Sequence, residues 1–163
     1  MVTVTKLAHV GFRAKNLSSQ AEFYNDRWGL ERVDEHGGEL FFRADGPDHH
    51  VLTLHAADAP GLHHFAFEVP TLAEVIRARD CLRAHNVKID FDGRRRAGVQ
   101  IAVEFRDPDG HRLEIYWGID QIGSDGRARP AEEWKGAQSL EAAIADPVIG
   151  QDTTLADPSL LGG

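Results

Sequence analysis

Two phrases in this chain match each other. Leu7-Ala8-His9-Val10-Gly11-Phe12-Arg13-Ala14 aligns with Leu62-His63-His64-Phe65-Ala66-Phe67-Glu68-Val69 at an offset of 55, which places His9 on His64 and Phe12 on Phe67. The register continues without a gap, so that Asn16-Leu17 falls on Thr71-Leu72. A repeat of this length constrains the fold more than any composition, because each copy is one supersecondary unit that needs the other to complete its core.

Taken in order, residues 6–14 read as a strand. Asn16 then caps a helix on which Leu17, Ala21, Tyr24 and Trp28 recur at helical spacing before Gly29 stops it. Strands are expected over 30–35, 39–44 and 49–55, separated by His36-Gly37-Gly38 and Asp45-Gly46-Pro47-Asp48. The second copy repeats the order. It has a strand over 61–69, a helix capped by Thr71 carrying Leu72, Val75, Ile76 and Leu82, and strands over 87–91, 99–105 and 112–117. A loop is expected over 92–98, and Asp107-Pro108-Asp109-Gly110 is a turn of type I character. The expectation is an α+β fold of two βαβββ modules, about 5–57 and 58–120, packed as one curled mixed sheet with the helices outside. Residues 121–163 form a C-terminal tail with one helix, over 130–145, followed by an exposed end from 151 to 163.

Strand alternation sorts the faces. Leu62, His64, Ala66 and Glu68 share one side of their strand, while His63, Phe65, Phe67 and Val69 share the other, apolar one. In 99–105, Gln100, Ala102 and Glu104 oppose Val99, Ile101, Val103 and Phe105; in 112–117, Arg112, Glu114 and Tyr116 oppose Leu113 and Ile115. The module ends also align, Pro47-Asp48-His49-His50-Val51-Leu52-Thr53 on Pro108-Asp109-Gly110-His111-Arg112-Leu113-Glu114. The cleft positions related by the repeat are therefore His9, Thr53, His64 and Glu114. Alone, His64 reads as a strand histidine bonded to a neighbour. In register with His9 and Glu114 it completes a two-histidine, one-carboxylate set, the arrangement of non-haem Fe(II) oxygenases. Open positions on such an ion also suit a Lewis-acid role for Mn²⁺ or Zn²⁺.

Composition narrows the partners. The net charge of −8 disfavours nucleic acid, and the short basic run Arg94-Arg95-Arg96 does not reverse that. No apolar run is long enough to span a bilayer and no signal peptide is evident, so neither nucleic acid nor membrane is expected as a partner. The single cysteine, Cys81, rules out an intrachain disulfide and fits a reducing cytoplasm, the expected location.

The repeat, with Leu-His-His-Phe-Ala-Phe-Glu-Val (62–69) and Phe-Arg-Asp-Pro-Asp-Gly-His-Arg-Leu-Glu-Ile-Tyr (105–116), resembles the vicinal oxygen chelate superfamily (glyoxalase, bleomycin resistance, dioxygenase). Within it, the pairing of His49-His50-Val-Leu-Thr-Leu with His63-His64 is most similar to the one-domain type I extradiol catechol dioxygenases. The resemblance covers about residues 5–120. It implies that His9, His64 and Glu114 hold Fe(II), with Mn(II) as the alternative, and that His50 is the acid–base histidine. It implies as substrates a small aromatic diol and O₂, the ring opening beside the two hydroxyls.

Two positions depart from the family pattern. Where the family has Gly-Arg-His, this chain has Gly93-Arg94-Arg95, and where it has a tyrosine ten residues before the glutamate ligand, this chain has Glu104. Arg95 supplies a fixed positive charge to a catecholate or a carboxylated substrate, or is a solvated loop residue. Glu104 acts as a base, pairs with Arg95 across the cleft, or lies on the surface. The alternatives on the same fold are a metal-dependent isomerase of the glyoxalase type, a thiol transferase, and a module that binds an aromatic ligand. A homo-oligomer is expected, with the repeats packed within one chain or exchanged between two. The tail closes the cleft or buries itself against a second subunit.

Overall fold

The computed structural model describes residues 1–95, 100–122 and 129–146. The expectations for Arg96, Val99, Gly123, Pro147 and the end from 151 to 163 lie outside these residues.

The first module runs β1 (Lys6–Ala14), α1 (Leu17–Glu22), β2 (Glu31–His36), β3 (Glu39–Arg43) and β4 (Leu52–Ala56). The second runs β5 (Gly61–Glu68), α2 (Leu72–Ala84), β6 (Ile89–Arg94), β7 (Ile101–Arg106) and β8 (Arg112–Trp117). All the strands join one mixed sheet in the order β2-β3-β4-β1-β5-β8-β7-β6, to which the tail adds a two-residue edge strand, β9 (Gln138–Ser139). Within each module the first strand pairs parallel with the last, β1 with β4 and β5 with β8. The modules meet where β1 and β5 run antiparallel.

Local chemistry sets the helices. Asn16 Oδ1 accepts from the Ser19 amide at 3.0 Å and Thr71 Oγ1 from the Glu74 amide at 3.3 Å, so both N-terminal expectations hold. From Phe23 to Trp28 the first helix widens into a π-helical turn, and Gly29 ends it at φ 88°. The outer face of the first module buries Phe42, Leu52 and Leu54 under Leu17, Ala21 and Tyr24. The second buries Val69, Val75, Ile101 and Val103 together with Leu140 and Ala143 from the tail. Among the described residues no helix is long and apolar enough to cross a membrane.

Three boundaries differ from the sequence reading by three residues or more. The strand expected from His49 begins at Leu52, leaving His49 and His50 in the segment that enters it. The sixth strand continues through Asp92, Gly93 and Arg94, which pair with β7 on one side and, at Gly93 and Arg94, with β9 on the other. The tail is not one helix from 130 to 145. A 3₁₀ turn (Ala131–Glu133) is followed by extended chain, β9 and the short helix α3 (Leu140–Ala145). Its apolar residues serve two different surfaces, which a continuous helix could not reach.

Candidate metal centre

The antiparallel junction of β1 and β5 pairs His9 with Ala66 and Gly11 with His64. The repeat offset exchanges these two pairs, so each histidine faces a small residue on the opposite strand. Size matters there. A Cβ added to Gly11 would run into Cε1 and Nδ1 of His64 and come within 2.9 Å of Thr53 Oγ1. The flanking strands complete the ring of positions, since β4 sets Thr53 beside Gly11 and β8 sets Glu114 beside Ala66.

Both central strands carry an irregularity just before the histidine, between Leu7 and His9 on β1 and opposite the Gly11–Phe12 step on β5. Ala8 and His63 are the residues left out of register, and they are equivalents in the repeat. A bulge resets the alternation behind it. His63, expected on the apolar face with Phe65 and Phe67, therefore lines the cleft beside His64.

His9, His64 and Glu114 are buried, and one donor atom from each lies within 4.8 Å of the others. His9 Nε2 and His64 Nε2 are 3.0 Å apart. Two ring nitrogens that close need a proton or a cation between their lone pairs. Cis ligands on bonds of roughly 2.0–2.1 Å would stand about this far apart. Burial pushes the His9 imidazolium down to about 3 and depresses that of His64 as well, so both rings are neutral and able to ligate. Burial, and then the neighbouring Glu104, pushes the Glu114 carboxyl up to about 8, so that a cation would relieve a carboxylate that lacks one. Gln100 Nε2 donates to Glu114 Oε1, while His9 Nδ1 has no hydrogen-bond partner among the described residues. Neutral imidazole and carboxylate fit a divalent transition-metal ion, and this donor set does not separate iron from manganese.

His50 stands beside this point, its ring 4.6 Å from that of His9 between centroids. Its Nδ1 is 3.0 Å from His49 Nδ1, and burial, with the surrounding histidines, holds it well below the ordinary imidazole range. His49 is fully buried against Phe41 and Trp134, and its backbone amide donates to the Asp120 carbonyl at 3.0 Å.

Arg95 and Glu104 meet. Arg95 Nε donates to Glu104 Oε1 at 2.5 Å, and its Nη2 pairs with the same oxygen. The other oxygen is held by Arg112, through Nε at 3.0 Å and through Nη2. Arg112 was legible only as a neighbour of Glu114 on one strand face. The sequence reading also did not single out Gln100, although alternation put it on the same face as Glu104.

The cleft measures about 280 Å³. His55 closes one side, stacked on His63 at 3.7 Å and bonded through Nε2 to Thr53 Oγ1 at 2.9 Å. The tail closes another. Ala137 lines the cavity, Trp134 packs edge-on against His49 with centroids 5.6 Å apart, and Arg129 pairs with Asp120. Fully buried Arg94 anchors the far end of the tail, donating to Gln138 Oε1 and to the carbonyls of Ala143 and Asp146 at 3.0–3.1 Å.

A profile of the Glyoxalase/Bleomycin resistance protein/Dioxygenase superfamily matches residues 6–115. The chain is 28% identical over 120 residues to a manganese-dependent 2,3-dihydroxybiphenyl 1,2-dioxygenase from Geobacillus genomosp. 3, covering 72% of this chain and 38% of that protein. It is 30% identical over 138 residues to metapyrocatechase 2 from Cupriavidus necator, covering 83% and 43%. Among solved structures, the Mn(II)-bound glyoxalase from Novosphingobium aromaticivorans superposes with a TM-score of 0.70 at 28% identity, over 80% of this chain and 43% of that one. The chain thus spans about two-fifths of the length of these relatives.

Proposed function

The chain belongs to the glyoxalase/bleomycin resistance protein/dioxygenase superfamily, and from that premise we propose that it is a metal-dependent extradiol dioxygenase that opens the ring of an aromatic diol with O₂. One observation carries the reading: the donors of His9, His64 and Glu114 converge on one buried point with His50 beside it. The dioxygenases among its relatives support the same chemistry. Fe(II) is the metal we favour and Mn(II) the alternative, which the manganese-dependent relative makes a direct competitor.

When bound, the ion would supply positive charge to an ionised diol and a path for electrons from the ring to O₂. The chain's own residues do the rest. Gln100 fixes the orientation of the Glu114 carboxylate, and Gly11 leaves the room that His64 needs. His50 handles the proton. With Nδ1 turned to His49, its Nε2 projects the other way, where the neutral ring can take a proton from the substrate hydroxyl and then deliver that proton to oxygen. Burial favours the neutral ring, the form that has a lone pair for that proton. Glu104 enters as the residue that fixes Arg95 and Arg112, both its oxygens being occupied, and Arg95 as the charge that meets substrate. Trp134 and Ala137 of the tail keep water from one side of the cleft.

A second reading, metal-assisted isomerisation, is favoured by the likeness to the Mn(II)-bound glyoxalase. Thr53 counts against a four-ligand member of that class, since its hydroxyl is committed to His55. Anaerobic loading with Fe(II) or Mn(II), followed by oxygen uptake with a panel of catechols, separates the two. Uptake with a yellow ring-fission product, lost in Glu114→Ala, is the expected result. Stoichiometric metal without uptake on any diol would sink the dioxygenase reading.

A further inference from the structure

The wall of the cleft next to the metal centre is cationic. Arg95 and Arg112 bring two guanidinium charges, and buried Glu104 offsets one of them. Glu104 engages a different arginine with each oxygen, but its single negative charge cannot neutralise both. Arg95 is rigidly held, with its Nε and Nη2 edge on Glu104 and its plane over the Phe91 ring, Cζ 3.8 Å from the centroid. Its Nη1 has no partner among the described residues. Arg112 turns its own Nη1 to His63 Nε2 at 3.3 Å. The side chains keep 34% and 28% of their surface exposed, so the positive edge is open to the cavity they line. The other carboxylate of the lining outside the metal centre, Glu39, is bonded to His55 at 3.0 Å with 43% of its side chain in contact with solvent, and it acts on Arg95 only through space.

We infer that the cleft takes a diol bearing a second, anionic group, a carboxylate on the ring or on a short side chain, which Arg95 receives. This rests on the proposal that the substrate is an aromatic diol. A singly ionised diol balances a divalent ion held by Glu114, and it leaves the Arg95–Glu104–Arg112 cluster one positive charge in excess. A group of opposite sign on the same molecule cancels that excess in a partly desolvated site, where an unpaired charge is costly. The planar fork of a guanidinium matches a carboxylate best. A cavity of about 280 Å³ falls just below the range of roughly 300–1,000 Å³ common for ligand pockets, which suits one ring with a short arm rather than two linked rings.

The test compares 3,4-dihydroxybenzoate and 3,4-dihydroxyphenylacetate with 4-methylcatechol on the metal-loaded wild-type protein. We expect kcat/KM to favour at least one carboxylated diol by tenfold or more. That ratio should collapse toward one in Arg95→Met and be partly restored in Arg95→Lys. A second arm needs neither metal nor turnover: calorimetric titration of the metal-free protein with 4-hydroxybenzoate and with 4-methylphenol, where only the anion should bind measurably. Equal or better use of 4-methylcatechol by the wild-type protein, with no selective binding of 4-hydroxybenzoate, overturns the inference and leaves the dioxygenase reading standing. Selective anion binding, lost in Arg95→Met, without oxygen uptake on any diol supports the anion site and overturns ring cleavage instead.

Discussion

Glu104 and Glu114 sit directly opposite one another across β7 and β8, two buried carboxylates in register on the cleft side of the sheet. Like charges placed this way repel, and each is answered differently. Glu104 is clasped by two guanidiniums. Glu114 receives an amide from Gln100, and its carboxyl stays high in pKa unless a cation arrives. Under the proposed function the pair divides the labour of the cleft, one carboxylate fixing the cationic wall and the other kept for the metal.

Removing Glu104 should therefore destabilise the protein. Glu104→Ala strands Arg95 and Arg112 beside each other without the carboxylate that bridges them. Breaking a buried ion pair from one side costs about 3–5 kcal/mol, reduced here to roughly 2–4 kcal/mol because both arginines retain solvent contact. Urea denaturation of the metal-free variant measures it. A loss under 0.5 kcal/mol would mean that the cluster holds nothing in place.

Gln100 predicts a metal phenotype without direct ligation. Its amide holds one oxygen of Glu114, and loss of such an orienting bond typically costs 10–100-fold in metal affinity. Gln100→Leu should show that loss in chelator competition, at unchanged metal stoichiometry and with a normal circular dichroism spectrum. Unaltered affinity would remove Gln100 from the site.

At Gly11 the constraint is steric. The methyl of Gly11→Ala would overlap the His64 ring, forcing His64 or the β1–β5 junction to move. We expect metal affinity to fall more than stability does, because strands can separate slightly while a ligand set tolerates little displacement. Parallel metal titration and thermal melts decide this; a variant with wild-type metal affinity would show that His64 has room to spare.

Much of this was legible in the chain because the repeat did the aligning. His9, Thr53, His64 and Glu114 were placed by an offset and strand alternation, and the β1–β5 pairing respects the same offset. Alternation then misplaced His63, because a bulge one residue wide inverts every face behind it and leaves no mark in composition. The tail misled for another reason. Trp134, Leu140 and Ile144 look periodic, but Trp134 packs on His49, Leu140 joins the α2 core and Ile144 remains 43% exposed. Arg112 and Gln100 were on the right faces. Their partners, Glu104 and Glu114, lie on the other of the two strands, and single-strand periodicity does not pair across a sheet.

The histidine cluster predicts an acid limit for the metal-free protein. Burial lowers His49 to about 4 from an ordinary 6.5. The folded state thus favours the neutral ring, and the unfolded chain takes up the proton first as pH falls. The stabilisation is complete above pH 6.5 and is lost progressively as pH drops toward 4, about 3 kcal/mol from this residue by linkage. His9, His50 and His64 are shifted in the same direction and steepen the loss. Urea midpoints from pH 7.5 to 4.5 should fall, and His49→Phe should flatten the slope. Glu114, pushed up to about 8, works against the histidines over the same range, so the variant is the reading that decides: a slope unchanged in His49→Phe would show that His49 titrates normally.

The tail gives the last prediction, through Gly93. This glycine lies in β6 at φ 143°, and a Cβ there would collide with the Gln138 carbonyl of β9. Gly93→Ala should consequently unseat β9 while leaving the β6–β7 pairing largely intact. With β9 go the contacts that Arg94 makes to Gln138, Ala143 and Asp146, and the brace of Trp134 against His49 weakens. The variant should show a red-shifted tryptophan emission and faster proteolysis between residues 129 and 146. If the tail braces His50 through His49, its catalytic rate should fall further than its metal affinity. Undiminished turnover with an unseated tail would make this segment a stabilising strap and no part of the reacting cleft.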